Sequence, residues 1–319
     1  MKSPFAQDLY WLSIIVMIRV AGWIPWTKVR QAIADGAGWL GYRSSPKRRK
    51  RIAEHLATAH GSQLSPQHAD QIMREYFGEY WREALSLLPT AGDRAVLGQA
   101  KIKGWEHLEH ALKKGKGAIL WEASAFGSRN ASKQILQDRG IAVHQVHAVW
   151  HLGWEGIGLR SGTRLRTRLI VPTIQRWMAR FVASIIWLPR TESLAFTRVL
   201  LDLLKHNGVV CSSADGSWGQ RLASVELLGR PRLFATGMAS LAKVSGAPLL
   251  PLFCIQDREG IPTLMIGPPI QAQTGVDRQR ALESCVVQWV RLFESHVTAH
   301  PGKYRAWHVV LYDSSDAAQ

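Results

Sequence analysis

The stretch from residue 117 to residue 130 reads Gly-Ala-Ile-Leu-Trp-Glu-Ala-Ser-Ala-Phe-Gly-Ser-Arg-Asn. Its apolar run Ala118–Trp121 predicts a buried strand, the pair Phe126-Gly127 predicts a tight turn, and a helix is expected from about Ala131. Polar side chains follow the strand at the edge where α/β sheets place their ligand-binding groups. The stretch therefore predicts one strand-turn-helix unit of an α/β domain with a site at its turn.

The same alternation of strands and helices continues along most of the chain. Strands are predicted from 102, and at 118–121, 141–149, 185–187, 208–212, 248–255 and 263–266, and helices at 106–113, 131–138, 193–205, 236–245 and 278–298. This pattern predicts a mixed, mostly parallel sheet flanked by helices. We expect a helical N-terminal region at 1–90, an α/β domain at 91–312 and a frayed tail at 313–319.

The chain is strongly basic, with 40 Lys and Arg against 24 Asp and Glu among 319 residues, a formal net charge of +16. Such an excess favours an anionic partner, either nucleic acid or an anionic membrane surface. The 14 Trp favour the membrane, although central ones can simply fill a core. No nucleic-acid partner is expected, because no nucleic-acid-binding motif stands out. The three Cys lack metal-site or disulfide spacing, so no metal is expected.

An apolar stretch at 9–26 is marginal in length for a spanning helix and is interrupted by Arg19. Six basic residues follow within 43–51, a composition that marks the cytoplasmic side and binds anionic headgroups. The alternative for this basic run is a solvated helix start. We expect a membrane anchor, re-entrant or peripheral rather than spanning, with the bulk of the chain on the cytoplasmic face.

Four blocks of sequence carry a resemblance to a known family. The most specific block, at 226–251, reads Glu-Leu-Leu-Gly-Arg-Pro-Arg-Leu-Phe-Ala-Thr-Gly-Met-Ala-Ser-Leu-Ala-Lys-Val-Ser-Gly-Ala-Pro-Leu-Leu-Pro. The others lie at 48–77, 102–120 and 208–216, in the matching order along the chain. Together they resemble the late acyltransferases of lipid A biosynthesis, the lauroyl and myristoyl acyltransferases of the lysophospholipid acyltransferase-like superfamily.

The resemblance implies a glycerol-3-phosphate acyltransferase-like fold and a membrane-associated activity. A fatty acyl group would move from acyl carrier protein or coenzyme A to a hydroxyl of a lipid or glycolipid. No cofactor beyond that donor is implied. The expected partners are the lipid acceptor, acyl carrier protein and an anionic membrane surface, and the expected location is the cytoplasmic face of the bacterial inner membrane.

The chain departs from the family at the turn, where the family carries His-x4-Asp or His-x4-Glu. Aligned on Phe126-Gly127, the His falls on Ala125 and the acid on Asn130, and neither residue can serve as a base. The nearest similar spacing, His151 and Glu155, is one residue shorter and is better explained as a surface turn with an ion pair.

Three polar residues of the turn are the candidate catalytic groups: Glu122, Ser124 and Arg129. A Glu desolvated in an apolar groove can have a raised pKa and act as a base. The alternative is an ion pair between Glu122 and Arg129 that replaces the lost pair structurally. Both interpretations remain open at this stage.

The resemblance also implies substrate-binding residues. Family arginines in this region line the groove and bind phosphate groups, and the candidates here are Arg164, Arg166 and Arg190. Asp215 matches a family Asp in the block at 208–216. For many of the arginines, the alternative is a solvated basic face.

Two hypotheses about function follow. The first is a membrane-associated acyltransferase with a non-standard active site. The second is a catalytically inactive homologue that binds acyl chains or acyl carrier protein as an accessory protein.

Overall fold

The computed structural model describes residues 4–61, 64–148, 163–189, 193–217, 219 and 221–308. Its helices are α1 (Pro4–Ala21), α2 (Thr27–Ser44), α3 (Pro46–His60), α4 (Pro66–Leu85), α5 (Ala91–Leu97), α6 (Trp105–Lys113), α7 (Arg129–Asp138), α8 (Val171–Met178), α9 (Leu194–Lys205), α10 (Gly237–Ser245) and α11 (Arg278–Ala299). A π-helix, Arg166–Ile170, leads into α8. The strands are β1 (Lys101–Lys103), β2 (Ala118–Glu122), β3 (Val143–Ala148), β4 (Ser184–Leu188), β5 (Val209–Ser213), β6 (Leu222–Leu227), β7 (Arg230–Ala235), β8 (Leu249–Gln256) and β9 (Pro262–Ile266).

Seven strands form one sheet in the order β1-β9-β8-β2-β5-β3-β4. Strand β9 is antiparallel to β8, and the other neighbouring pairs are parallel. The predicted α/β class, with a mostly parallel sheet flanked by helices, is confirmed. Strands β6 and β7 pair separately as an antiparallel hairpin, which the sequence did not predict.

The central strands β2 and β8 are buried on both faces, which explains their continuous apolar runs. On one face, α11 contributes Trp289 and Phe293, whose rings stack at 4.8 Å between centroids. Trp289 Nε1 also donates to the backbone oxygen of Trp121 at 3.1 Å. On the other face, α6 and α7 contribute Leu108 and Ile135 to a second cluster. This packing fixes the carboxyl end of β2 between two helical layers.

Helices α2 and α4 cross at two glycines. A Cβ on Gly38 would lie 2.7 Å from the backbone of Gly78, so only glycine permits this approach. Nearby, the buried Arg30 donates to the carbonyl oxygens of Ala21 and Leu85, each at 2.6 Å. Arg30 on α2 therefore links the end of α1 to the end of α4 through their backbone carbonyl oxygens.

Helix α1 packs through Ile14 and Ile18, both buried. Its Asp8 lies 2.7 Å from Arg166 Nε in a buried ion pair with the π-helix. None of the helices within the described residues has the combination of length and apolarity needed to cross a membrane.

The basic run at 43–51 is divided between two roles. Arg48 lies over the ring of Tyr76 at 5.2 Å, and Arg49 lies over the ring of Tyr42 at 4.6 Å. Lys47, Lys50 and Arg51 are exposed. Part of the run therefore packs against aromatic side chains, and the rest faces solvent.

Candidate active site

The turn between β2 and α7 requires glycine at position 127. Gly127 has a φ of +60°, and a Cβ there would lie 2.0 Å from the backbone oxygen of Cys254. The Gly127 N–H donates to Lys303 O at 3.1 Å, and the Ser128 N–H donates to Cys254 O at 2.8 Å. The turn is therefore fastened to β8 on one side and to the segment after α11 on the other.

Asp215 holds the turn from the end of β5. Its Oδ1 accepts from Ser124 N at 2.9 Å and from Ser124 Oγ at 2.7 Å, and its Oδ2 accepts from Ala125 N at 2.8 Å. Strands β2 and β5 are parallel neighbours, so their carboxyl ends meet at one edge of the sheet. The residue identified from the family block at 208–216 is thus in direct contact with the candidate turn.

Arg305, which the sequence did not single out, holds the turn from the opposite side. The backbone N–H of Arg305 donates to Ala125 O at 2.7 Å. In its side chain, Nη2 donates to Ser124 O at 2.9 Å and Nη1 contacts Gly127 O. These contacts join residues about 180 positions apart, so no local signal could reveal them. The structure thereby fixes the backbone on both sides of position 125.

Glu122 lies in a buried ion-pair cluster. Arg129 Nε donates to its Oε1 at 2.9 Å, and Lys133 Nζ contacts its Oε2. Burial by itself would raise the pKa of Glu122, but Arg129 and Lys133 outweigh burial and lower that pKa to about 2. The raised pKa expected for a carboxyl in an apolar groove is therefore wrong, because two cations surround the group. The geometry is that of the ion-pair alternative, and a catalytic role for this trio stays a prediction.

Lys133 could have been found from the sequence. It lies four residues after Arg129 on α7, a spacing that places two side chains on one face of a helix. Both cations therefore reach the carboxylate that ends β2.

Two further buried acids come from α4. Glu79 is paired with Lys303 at 3.0 Å, and this pairing helps to lower its pKa against the opposing effect of burial. Glu83 Oε2 is buried and accepts no hydrogen bond from any described residue, and burial raises the pKa of Glu83. Opposite perturbations of neighbouring acids are one property of functional sites.

The two positions that carry the family's His and acid have separate surroundings. Ala125 is partly buried against the main core, and Asn130 Nδ2 donates at 2.8 Å to Oγ of Ser86, the residue that follows α4. Asn130 is therefore hydrogen-bonded to the end of α4, and neither position carries a side chain that can serve as a base.

The predicted substrate-binding arginines do not form one group in the described structure. Arg166 is buried and paired with Asp8, and Arg164 is exposed. Arg190 lies outside the described residues, as do His151 and Glu155 and the predicted tail at 313–319. The structure does bring Glu122, Ser124, Arg129 and Asp215 together at the edge of the sheet, and phosphate binding by the arginines stays a prediction.

A cavity of about 600 Å³ opens beside Asn130, between α2, α4, α5, α7 and the end of β8. Amide and hydroxyl groups in its lining come from Gln31, Gln71, Ser86 and Gln256. Its volume lies within the usual range for a small-ligand site.

Most of the cations that line this cavity are neutralised by acids in the same lining. Arg30 pairs with Asp93 at 3.1 Å. Arg82 pairs with Asp35 at 2.5 Å and Lys303 with Glu75 at 3.5 Å. The lining therefore offers many hydrogen-bonding groups with little net charge, a combination suited to an uncharged polar ligand.

Comparison with known proteins identifies a family and two similar relatives. The family described as bacterial lipid A biosynthesis acyltransferase matches residues 5–144 and 174–309. Phosphatidylinositol mannoside acyltransferase of Mycobacterium tuberculosis is 25% identical over 311 residues, covering 91% of this chain and 85% of the relative. The protein of the same name from Mycolicibacterium smegmatis is 24% identical over 258 residues, covering 75% and 74%.

Proposed function

The chain belongs to the bacterial lipid A biosynthesis acyltransferase family and is therefore an acyltransferase. We propose that it uses a non-standard active site to transfer an acyl group to a hydroxyl of a glycolipid. The family matches both halves of the α/β domain, on either side of the interval 145–173 that contains Arg164 and Arg166. The relatives named as phosphatidylinositol mannoside acyltransferases support a glycolipid as acceptor.

The turn between β2 and α7 lies next to the cavity, because Asn130 at the start of α7 lines it. This observation carries the proposal. Asp215 and Arg305 fix the turn by backbone hydrogen bonds, and the cavity begins at the first residues of α7. In the proposed site, Glu122 and Arg129 position the start of α7, and Ser124 and Asp215 face the reactants. A preorganised backbone beside a ligand-sized cavity is what transfer between two bound substrates requires.

The headgroup of the acceptor is proposed to occupy the cavity. Amide side chains both donate and accept hydrogen bonds, as the hydroxyls of a sugar require. The paired charges of the lining favour an uncharged sugar over a bare phosphate. Replacing Gln71 by Leu should therefore raise the KM for the acceptor and leave the KM for the acyl donor unchanged.

The N-terminal helices are proposed to lie on an anionic membrane surface. Large apolar side chains are exposed along α1, the link to α2 and α2 itself: Phe5, Leu9, Tyr10, Val16, Val20, Trp23, Trp26, Val29, Trp39 and Leu40. Trp23 and Trp26 are 80% and 67% exposed, and exposed Lys28 and Arg43 lie on the same helices. Tryptophan beside basic residues suits the boundary between acyl chains and anionic headgroups.

Replacing both Trp23 and Trp26 by Ser should reduce binding to phosphatidylglycerol-containing vesicles at least about tenfold, because each indole contributes more than 1 kcal/mol when buried in lipid. Leu194, 77% exposed on α9, supplies the control, and Leu194→Ser should bind as the wild type does. Equal vesicle binding by all three proteins would rule out this surface.

The donor is proposed to be an acyl thioester of acyl carrier protein or coenzyme A, used at the cytoplasmic face of the bacterial inner membrane. The net charge of +16 suits an acidic carrier and an anionic leaflet alike. No cofactor is needed for acyl transfer from a thioester.

A second candidate function follows from Ala125 and Asn130, which remove the family's base and its partner. Under this alternative, the protein binds acyl chains or acyl carrier protein without turning them over. The purified chain, a radiolabelled acyl donor and glycolipid-containing vesicles distinguish the two. Labelled glycolipid supports the enzyme, whereas saturable donor binding with no labelled product supports the accessory role.

A further inference from the structure

Ser124 and Asp215 form a hydroxyl-carboxylate pair at the carboxyl edge of the sheet. The Oγ of Ser124 donates to Oδ1 of Asp215 at 2.7 Å, within the range of a charge-assisted hydrogen bond. Ser124 comes two residues after β2 and is partly exposed. It therefore combines an activated hydroxyl with access from the sheet edge.

The carboxylate of this pair is itself held in place. The backbone N–H groups of Ser124 and Ala125 donate to its two oxygens at 2.9 and 2.8 Å. Arg305 then fixes the same two residues through their carbonyl oxygens. A nucleophile within hydrogen-bond reach of a base, with the base oriented by further groups, is the arrangement required for nucleophilic catalysis.

The other residues of the turn discussed above do not supply a base for the reaction. Direct attack by an acceptor hydroxyl needs a base, and the two family positions hold Ala125 and Asn130. The carboxylate of Glu122 is buried between Arg129 and Lys133, so it is shielded from the reactants.

We propose that Ser124 carries the acyl group as a covalent ester between two half-reactions, with Asp215 as its base. This inference rests on the proposed acyl transfer and adds an intermediate to it. The acyl group is held by the protein after the donor leaves, so a single base can serve both halves.

In the first half-reaction, Oγ of Ser124 bonds to the thioester carbonyl carbon and its proton passes to Asp215. The carbon–sulfur bond breaks, and the departing thiolate takes that proton to leave as a thiol. In the second, the acceptor oxygen bonds to the ester carbonyl carbon and gives its proton to Asp215. The bond from that carbon to Oγ then breaks, and Oγ recovers the proton as free Ser124.

The test is intact-mass analysis of the full chain incubated with lauroyl-coenzyme A and no acceptor. One lauroyl group per chain is expected, mapped to the peptide that contains Ser124 and stable to neutral hydroxylamine, which removes thioesters of Cys. The Ser124→Ala variant should lose the adduct and at least about 1,000-fold of the transfer rate, as removal of a catalytic nucleophile does.

Ser132→Ala is the matched control, because the buried hydroxyl of Ser132 donates to the backbone oxygen of Arg129. It should keep both the adduct and the transfer rate. The adduct is measured on the wild-type chain itself, so the test remains decisive even if the Ser124→Ala variant misfolds.

An unmodified wild-type chain, or undiminished transfer by Ser124→Ala, overturns the covalent intermediate. Neither result touches the proposed acyl transfer, which fails separately if the wild type forms no acylated glycolipid. An adduct without transfer to any glycolipid would support the covalent intermediate and refute the proposed acyl transfer to a glycolipid.

Discussion

Replacing Glu122 by Gln keeps the shape of the side chain and removes the charge that two buried cations require. In the wild type, Arg129 Nε lies 2.9 Å from Oε1, and Lys133 contacts Oε2. The side chains of Glu122 and Lys133 are each 3% exposed, so solvent cannot replace the lost carboxylate. The variant should therefore fold less stably, with the loss centred on the turn and the start of α7.

The size of the loss follows from the pKa of Glu122. Its pKa falls from 4.5 to about 2 on folding, which at about 1.36 kcal/mol per pH unit corresponds to about 3 kcal/mol at neutral pH. Removing one partner of a buried ion pair costs about 3–5 kcal/mol in other proteins. Unfolding entropy of about 2.1 cal/mol/K per residue, applied to the 319-residue chain, converts 3 kcal/mol into a melting temperature about 5 °C lower.

The assay is thermal unfolding followed by tryptophan fluorescence at several pH values. Because the pKa of Glu122 is lowered on folding, its contribution is present above pH 4.5 and is lost as the pH falls towards 2. The difference in melting temperature between the wild type and the Glu122→Gln variant should therefore become smaller as the pH falls from 4.5 to 2. Glu226→Gln, at an exposed position of β6, should leave the melting temperature within about 1 °C.

A Glu122→Gln variant that melts with the wild type at neutral pH would refute the buried ion-pair cluster. A gap that stays constant between pH 4.5 and 2 would refute the assignment of the effect to the carboxylate charge.

Three other predictions concern different parts of the fold. In thermal unfolding, Gly127→Ala should lower the stability more than Gly140→Ala. Both glycines have positive φ, but only a Cβ at position 127 would meet a backbone oxygen, at 2.0 Å. Cys211, whose pKa burial raises to about 12, should resist iodoacetamide at mildly alkaline pH until guanidinium unfolds the chain, as followed by mass spectrometry. Asp8→Asn should cost about 3–5 kcal/mol in urea unfolding, because it leaves the buried guanidinium of Arg166 without its carboxylate.

The central strands of the main sheet could be predicted because they are buried on both faces. Continuous apolar runs such as 118–121 and 248–255 have no other simple interpretation. The structure extends the first by one residue, to Glu122, and shifts the second by one residue, to Leu249–Gln256. The alternation with helices then identifies the α/β class.

The hairpin of β6 and β7 could not be predicted, because its turn lacks the usual residues. Leu228 and Gly229 both have positive φ, and a hairpin turn of this kind normally carries Asn or Asp followed by Gly. Leucine in the left-handed region gives no such signal.

The candidate site was predictable only in part. The turn and Asp215 could be identified from the strand edge and the family block, but Arg305 reaches the turn from a segment about 180 residues away. The direction of the pKa shift at Glu122 was missed because folding brings two cations, Arg129 and Lys133, to the same buried carboxylate.

The most direct test of acyl transfer without the family's His is a single-product assay. Purified protein is mixed with radiolabelled lauroyl-acyl carrier protein and anionic vesicles that contain phosphatidylinositol mannoside, and the extracted lipids are separated. We predict labelled glycolipid that accumulates in proportion to enzyme and disappears with Ser124→Ala but persists with Ser132→Ala. Saturable binding of the acyl donor with no labelled glycolipid, across several sugar headgroups, would contradict the account and leave the accessory role in its place.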